Sequence, residues 1–301
     1  MDDTILHALT GTRDEPVLTF RRRYRASVAE LRDACTAPER LERWFGVVDP
    51  VPERPGDAFA ADLGGVDDRA EGRLLECDAD RILASWSWQG EPTSTIELRF
   101  EPVDTDHAEL VLQHALAAPE HAVGYGGGWE HALAALDRAL GGTSDPGDDE
   151  AVEAAGVARW TAMRDRAAVV ERRVSVPIER VWEAWTTEEG LRGWWWRHWR
   201  DTRVAVDPRV GGTLRFTTPS QGIDVACTIL AMDAPRHLAA TWEWADADGR
   251  SVDEAFDLRL EPDGDGTRVV VRHTGPWPDE APANDYAQGW AFVLDALADV
   301  V

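Results

Sequence analysis

The fold of this chain is decided by a stretch that occurs twice, as Tyr125-Gly-Gly-Gly-Trp129-Glu-His-Ala-Leu133-Ala-Ala-Leu136 and as Tyr286-Ala-Gln-Gly-Trp290-Ala-Phe-Val-Leu294-Asp-Ala-Leu297. Tyr, Gly, Trp and the two Leu recur at one constant offset of 161 residues. The spacing i, i+4, i+8, i+11 puts Tyr, Trp and both Leu on one stripe of an α-helix, so each copy is predicted to bury that face. We interpret each copy as the closing helix of one repeat.

The two halves match at many other positions, in the same order along the chain. The offset is 150 near the start of each half and rises to 161 at its end, as small loop insertions would produce. Chance matches would not keep their order through every element, so the sequence predicts a tandem duplication. The matching pairs are Leu31/Val181, Ala34/Ala184, Thr36/Thr186, Leu41/Leu191, Trp44/Trp194, Trp86/Trp242, Trp88/Trp244, Pro102/Pro262 and His114/His273.

A chain of 301 residues is long enough for two domains of ordinary size. The predicted domains are residues 1–141, a degenerate copy, and residues 168–301. Between them, residues 142–167 are predicted to be a linker with a connecting helix. The stretch 141–150 has the Gly, Ser, Asp and Pro content of a loop, and the stretch 151–167 carries apolar residues near one helical stripe.

The composition is strongly acidic. Asp and Glu number 56 against 31 basic residues, all of them Arg, and the net charge is −25. An acidic surface disfavours nucleic acid and anionic membranes, so we expect neither as a partner. We interpret the charge as a coat that favours solubility, with an acidic binding patch as the alternative.

The cysteines and histidines give no sign of a disulfide framework or a metal site. Cys35, Cys77 and Cys227 are odd in number and lack the CxxC spacing, which predicts buried thiols in a reducing compartment. No His pair has metal-ligand spacing, so we expect neither a metal nor another cofactor. The chain begins without a signal-peptide pattern, and no apolar run approaches the ~18–20 residues of a membrane span. We therefore predict a cytoplasmic protein.

Each half is predicted to begin with a strand and two short helices and to end with the closing helix, with five antiparallel strands between them in the first half and six in the second. After about fifteen poorly patterned residues, Val17–Ala26 is predicted to be a strand, and Ser27 and Pro38 are typical first residues of helices. Short strand-like runs follow at intervals of about 8–14 residues without helices between them, which indicates an antiparallel meander. The second closing helix is predicted to begin near Asn284 or Asp285, either of which can serve as its cap.

This order of elements is the helix-grip order of the START/SRPBCC superfamily, and the second half resembles the family named for activators of the heat-shock-protein-90 ATPase. The residues that carry the resemblance are Val176-Pro-Ile-Glu-Arg-Val-Trp-Glu-Ala184, Leu191 with Gly193-Trp-Trp-Trp196, Asp207-Pro-Arg-Val-Gly-Gly212, Gly266-Thr-Arg268 and Gly289-Trp290 with Leu294 and Leu297. The first half is similar but degraded. It keeps Trp44, Gly56 and Gly128-Trp129, and Asp57 stands where the second Gly of the Gly-Gly pair would be.

The resemblance implies an α+β protein of two tandem helix-grip (START-like) domains, each a curved antiparallel sheet wrapped around a long C-terminal helix with two short helices. It also implies a cavity between sheet and helix that commonly takes a hydrophobic small molecule. It implies no particular reaction, because the superfamily includes lipid carriers, cyclases and co-chaperones.

The candidate ligand-binding residues are aromatic or lie beside the aromatic stripes. Each Trp-x-Trp pair puts two indoles on one face of a strand, either as core or as a cavity wall. The run 194–199 has too many indoles for one helix face, which leaves a ligand entrance and a domain interface as alternatives. The candidates are Trp194, Trp195, Phe216, Trp242, Trp244, His273, Tyr286 and Trp290 in the second domain and Trp44, Trp86, Trp88, His114, Tyr125 and Trp129 in the first.

We predict that the protein binds an apolar or aromatic small molecule without catalysis, chiefly in its second domain. One alternative is a cyclase/aromatase-like or hydrolase enzyme that uses the same cavity, for which His273 and Tyr286 are the only acid–base candidates. The chain shows no nucleophile motif, and we assign no catalytic residue. Another alternative is a chaperone cofactor or stress-related interaction protein, with a homodimer or a protein partner bound through Trp194–Trp199.

Each closing helix carries a Gly directly before its Trp. Gly inside a helix costs ~1 kcal/mol relative to Ala, so something must offset that cost. We interpret Gly128 as required by close packing of helix on sheet. For Gly289, close packing and room for a ligand both stay open.

Overall fold

The computed structural model describes residues 5–65, 68–143 and 149–300 of the 301-residue chain. It divides into two compact units, which we call the first and second domains. The first consists of Met1–His7 and Arg13–Thr161, and the second consists of Ala8–Thr12 and Ala162–Val301. Of the predicted linker, residues 144–148 lie outside the described residues.

The chain opens with a strand that the sequence did not suggest. Strand β1 covers Leu6–Gly11, and its residues from Ala8 onward belong to the second domain. Leu9 O accepts a hydrogen bond from Thr274 Oγ1 at 2.6 Å, and Gly11 N donates to Asp257 Oδ2 at 2.9 Å. The prediction of a poorly patterned start is therefore wrong for these residues, because long-range contacts order them.

The first domain has the predicted order of strand, two short helices, antiparallel strands and long helix, with six strands after the short helices where five were predicted. Its sheet is antiparallel throughout, with the spatial order β2-β8-β7-β6-β5-β4-β3. The elements are β2 (Pro16–Tyr24), α1 (Val28–Ala34), α2 (Pro38–Leu41), β3 (Val47–Asp49), β4 (Ala58–Asp62), β5 (Arg69–Cys77), β6 (Arg81–Trp88), β7 (Ser94–Pro102), β8 (Ala108–Ala115), α3 (Ala122–Ala139) and then α4 (Asp149–Asp165).

The second domain repeats this order. Its sheet runs β10-β11-β12-β13-β15-β16-β9, again antiparallel, and the short β14 pairs with β13. The elements are β9 (Ala168–Val174), α5 (Ile178–Thr186), α6 (Glu188–Trp194), β10 (Arg203–Val206), β11 (Thr213–Thr218), β12 (Ile223–Asp233), β13 (His237–Asp246), β14 (Gly249–Arg250), β15 (Glu254–Asp263), β16 (Gly266–Thr274) and α7 (Ala281–Ala298).

Local sequence signals explain most helix starts. Ser27 caps α1 in a capping box with Glu30, and Pro38 begins α2. The predicted start of α7 near Asn284 or Asp285 is wrong, because the helix begins at Ala281 with Pro282 in its first turn. Proline fits the first turn of a helix, so α7 extends further toward its N-terminus than the Asn and Asp caps suggested.

The apolar stripes of both closing helices are buried, as predicted. Trp129, Leu133 and Leu136 of α3 are at most 7% exposed, and Trp290, Leu294 and Leu297 of α7 at most 3%. Each helix thus packs into the core of its own domain, and the prediction of two tandem helix-grip domains is confirmed. None of the helices in the described ranges is both long and apolar enough to span a membrane.

Candidate functional site

The second domain contains a large aromatic cavity between α7, strand β13 and the loop after α6. Its volume is about 710 Å³, within the range of sites that hold drug-sized molecules. We call it the second-domain cavity. Its lining residues are Trp195, Trp196, His198, Trp199, Trp242, Trp244, Pro282, Asp285, Tyr286, Gln288, Gly289, Trp290, Phe292 and Val293.

The loop after α6 is shaped so that several indoles reach the cavity. Helix α6 ends at Trp194, whose Nε1 donates to Ala184 O at 3.1 Å in the core. Two residues later, Trp196 has a φ of +44°, a conformation that costs a bulky side chain about 1–3 kcal/mol. The run 194–199 therefore divides. Trp194 fills the core, whereas Trp195, Trp196, His198 and Trp199 line the cavity.

The walls of the cavity meet at steep angles. The ring of Trp196 lies 5.5 Å from that of Trp199 and 5.7 Å from that of Trp244, at interplanar angles of 70° and 79°. Trp242 and Trp244, the predicted same-face pair on β13, both line the cavity, and Trp242 lies 5.4 Å from Trp290 of α7. Three Trp rings thus form adjoining walls of one box.

The structure tests the interpretation of the two glycines that directly precede a Trp in the closing helices. A Cβ added at Gly128 or at Gly289 would meet nothing within 4 Å. Close packing therefore does not explain Gly128, and that prediction is wrong. The glycine that packing requires is Gly126, where a Cβ would overlap the indole of Trp160. Gly289 faces open space and lines the second-domain cavity.

A buried carboxylate lies directly behind the cavity wall. Glu254, 6% exposed, accepts hydrogen bonds from Tyr286 Oη at 2.6 Å and from Trp277 Nε1 at 2.8 Å. Ser251 Oγ also donates to it, at 2.9 Å. His273, fully buried, accepts from Trp290 Nε1 at 2.9 Å through Nδ1, and its Nε2 lies 3.7 Å from Glu254 Oε2.

This network is anionic at neutral pH. Burial alone would raise the pKa of Glu254, but His273 and the hydrogen bonds from Trp277 and Tyr286 together hold the pKa of Glu254 below its ordinary value. Burial lowers the pKa of His273, which keeps the imidazole neutral. Burial and the adjacent carboxylate raise the pKa of Tyr286, so its phenol stays protonated and donates.

The first domain has a smaller and wholly different cavity. Its volume is about 140 Å³, and no charged side chain appears among the described residues that line it. We call it the first-domain cavity. Its lining residues are Cys35, Thr36, Leu41, Trp44, Phe45, Val48, Val51, Pro52, Phe59, Leu74, Cys77, Ile82, Ala84, Trp86, Ile96, Leu98 and Trp129.

In the first domain, the buried His114 belongs to a neutral hydrogen-bond chain. Trp129 Nε1 donates to His114 Nδ1 at 3.1 Å, which leaves His114 Nε2 to donate to Ser94 Oγ at 2.8 Å. Ser94 Oγ in turn donates to Trp86 O at 3.1 Å. Burial lowers the pKa of His114 to about 3, so this histidine is a satisfied structural residue.

The candidates from the sequence fall into two groups. Those that line a cavity are Trp195, Trp242, Trp244, Tyr286 and Trp290 in the second domain and Trp44, Trp86 and Trp129 in the first. Those that do not are Trp194, Phe216 and His273 in the second domain and Trp88, His114 and Tyr125 in the first. That any of them binds a ligand stays a prediction.

Sequence reasoning missed three features of the second-domain site. Asp285 had been considered only as a helix cap, and Phe292 not at all, although both line the cavity. Glu254 was lost among 56 acidic residues, although it lies directly across from Trp242 in the sheet. Comparison of the two repeats could have singled out Glu254, because the first repeat has the uncharged Ser94 at the equivalent position, across from Trp86.

Among the described residues, no group of three or more His, Cys, Asp or Glu side chains is arranged to hold a metal ion. All three cysteines are free thiols, and Cys35 and Cys227 are buried. The features of the candidate site that could act on a ligand are its aromatic walls and its carboxylates.

Comparison with protein families finds two matches to one family, described as Activator of Hsp90 ATPase homolog 1-like protein. They cover residues 25–141 and 175–301. Comparison with curated proteins finds no relative.

Several solved structures are similar to parts or most of the chain. CalU16 from Micromonospora echinospora is 28% identical over 55% of this chain and 99% of that chain, with a TM-score of 0.45. DynU16, a protein of the dynemicin biosynthetic locus, is 18% identical over 94% of this chain and 97% of that chain, with a TM-score of 0.38. The Aha1 dimer from Colwellia psychrerythraea is 19% identical over 44% of this chain and 93% of that chain, with a TM-score of 0.37.

Proposed function

This chain belongs to the Activator of Hsp90 ATPase homolog 1-like protein family in both of its halves, and from that premise we propose that its second domain binds an apolar or aromatic small molecule. The observation that carries the proposal is the second-domain cavity, about 710 Å³ and walled by six Trp, one Tyr and one Phe. Pockets of this size and apolar lining are where proteins bind small molecules.

The strained backbone at Trp196 supports the same proposal. A bulky residue with positive φ persists only where the surrounding structure holds it, and such residues cluster at functional sites. The equivalent position in the first domain is Gly46, for which a positive φ costs little. The second domain accepts that strain at a position where the indole becomes cavity wall.

The first domain is proposed not to bind a ligand of that size, because its cavity has a volume of only about 140 Å³. The three free thiols favour a reducing compartment, so we place the binding activity in the cytoplasm.

A second candidate function is an acid–base enzyme in the same cavity. One observation favours it: Tyr286 lines the cavity and donates at 2.6 Å to the buried Glu254, which pairs a proton donor with a carboxylate at the wall. Turnover of a bound compound that is lost in Tyr286→Phe, with binding retained, would support the enzyme over the carrier.

The direct test is titration with N-phenyl-1-naphthylamine, a neutral aromatic dye whose fluorescence rises in apolar sites. We expect saturable binding by the wild type. Trp244→Ala removes a half-buried wall residue and should weaken binding by about 10- to 30-fold, as truncation of a Trp in a binding site usually does.

The matched control is Trp88→Ala, the equivalent position of the first domain, whose indole does not line either cavity. This variant should bind the dye like the wild type. The proposal fails if the dye does not bind, or if the two alanine variants have the same affinity.

A further inference from the structure

The second-domain cavity carries negative charge without a compensating cation. Asp285 is the only Asp, Glu, Lys or Arg among its described lining residues. Its side chain is exposed at the cavity and forms no ion pair or hydrogen bond with a described residue. By contrast, Asp295 of α7 is paired with Arg172 at 2.6 Å, and Asp299, directly after the helix, is paired with Arg197 at 3.2 Å. The carboxylate of Asp285 is therefore available to a ligand.

A second negative charge lies one hydrogen bond behind the wall. Tyr286 both lines the cavity and donates its proton to the buried Glu254. A phenol that donates to a carboxylate presents its oxygen lone pairs to other donors, and here the neighbouring His273 adds no positive charge. Since Glu254 is buried, its field is screened less than that of a surface charge.

The aromatic walls of the second-domain cavity also favour a positively charged ligand. The face of an indole is the negative end of its quadrupole, and Trp is the best aromatic partner for a cation. The ring of Trp196 stands at 70° to that of Trp199 and at 79° to that of Trp244, so an ammonium group in either corner would meet more than one ring.

One feature of the cavity disfavours a positively charged ligand. Helix α7 begins at Ala281 beside the rim, and a helix N-terminus carries about half a positive charge. Two carboxylates outweigh that partial charge, and one of them, Asp285, lies within two turns of the helix start. His198 is the only described lining residue that can gain a positive charge, and it is exposed at the mouth.

We infer that the second-domain cavity selects an organic cation, a small molecule with an ammonium group attached to an apolar or aromatic body. The inference rests on the proposed function and narrows its ligand class. The aromatic walls bury the apolar body and receive the cation, Asp285 neutralises it, and Tyr286 with Glu254 accepts any N–H or O–H that the ligand carries. The first-domain cavity lacks all of these charges and has no such preference.

The test compares benzyltrimethylammonium with neopentylbenzene, its neutral carbon isostere, and with phenylmethanesulfonate as the anion. All three titrations are monitored by quenching of the tryptophan fluorescence of the full chain. We expect the cation to bind about tenfold tighter than the neutral compound, because cation–π contacts and a carboxylate act on it alone. The anion should bind most weakly.

Two matched variants locate the effect. Asp285→Asn keeps the shape of an exposed side chain and should weaken cation binding about two- to fivefold without changing the neutral isostere. Glu189→Gln removes the same charge from an exposed position of α6 outside the cavity and should change neither.

The outcomes separate the inference from the function it rests on. If neopentylbenzene or N-phenyl-1-naphthylamine binds and the cation binds no tighter than its isostere, the inference is overturned and small-molecule binding stands. If none of these compounds binds, both are overturned. A cation preference that persists unchanged in Asp285→Asn and falls in Glu189→Gln would also overturn the assignment to this cavity.

Discussion

The two domains share one framework and differ in what they build on it. In both, a Trp of the closing helix donates to a buried His on the neighbouring strand, at 3.1 Å in the first domain and 2.9 Å in the second. In both, a Tyr of that helix donates to a Glu, Tyr125 to Glu91 and Tyr286 to Glu254. The cavities nevertheless measure about 140 Å³ and about 710 Å³.

Three replacements separate the domains. Cys35, Gly46 and Ser94 of the first domain stand where the second has Trp185, Trp196 and Glu254. Trp185, fully buried, fills the inner core, which moves the open space of the second domain outward to the rim of α7. Trp196 then walls this outer space, and Glu254 makes it anionic. Recurrence between repeats therefore marks the framework, and these three replacements distinguish the second-domain cavity from the first-domain cavity.

The largest expected effect tests the shared framework. Trp290→Ala should lower the free energy of unfolding of the second domain by about 3–5 kcal/mol, because it deletes a buried indole and the hydrogen bond to His273. Trp129→Ala should cost the first domain a similar amount. Urea unfolding monitored by amide hydrogen exchange resolves the two domains. A loss below about 1 kcal/mol in either variant would contradict a common framework.

The next effect concerns the hydrogen-bond network around the buried Glu254 of the second domain. Glu254→Gln should destabilise it by about 2–4 kcal/mol, because an amide presents donors to the hydroxyl and indole donors of Tyr286 and Trp277. The control is Glu189→Gln, an exposed change of equal charge, which should stay within about 0.5 kcal/mol of the wild type. Equal stability of the two variants in urea would refute the role given to Glu254.

The next prediction is a pH dependence of the stability of the first domain, caused by His114. His114 has a pKa of about 3 when folded against its ordinary value of 6.5, so the unfolded chain binds a proton that the folded domain does not. Stability is then complete above pH 6.5 and falls as the pH drops toward 3, by about 2 kcal/mol at pH 5. Urea midpoints at several pH values measure it.

The matched variant for that titration is His114→Asn, whose carbonyl can still accept from Trp129. Other groups titrate in both proteins, so the informative quantity is the difference between their profiles. The variant should lose less stability than the wild type between pH 6.5 and pH 5. Parallel profiles would show that His114 does not control this pH dependence.

Much of the fold was predictable from sequence, because its signals are local and repeated. The spacing of Tyr, Trp and Leu predicted both closing helices, and Ser27 and Pro38 marked helix starts that the structure confirms. Strand β1 was not predictable, because its order comes from partners such as Thr274, 265 positions away from Leu9. The domain limits at 1–141 and 168–301 stay a prediction.

The candidate site was predictable only in outline. Aromatic enrichment pointed to the second domain, and five of its eight candidates line the cavity. Trp196 could not be separated from Trp194 by type, since only the backbone turn at φ +44° sends it to the wall. His273 was nominated as a ligand donor, yet it lies behind the wall, and Tyr286 donates its hydrogen bond to Glu254.

The smallest effects are expected at the glycines that precede each Trp, and they separate stability from binding. A Cβ at Gly128 or Gly289 meets nothing, so either Ala variant should stabilise its domain by up to about 1 kcal/mol through helix propensity. At Gly126 the same change should destabilise by about 1–3 kcal/mol, because the new methyl overlaps Trp160.

Gly289→Ala differs from Gly128→Ala in one respect, because the new methyl group of Gly289→Ala would occupy space in the second-domain cavity. Both variants should therefore gain similar stability in urea, while only Gly289→Ala should weaken binding of N-phenyl-1-naphthylamine, by about two- to fivefold. The physical difference between the two positions is that Gly289 lines the second-domain cavity, whereas Gly128 lines neither cavity. Unchanged dye binding in Gly289→Ala would show that this glycine does not hold space for a ligand.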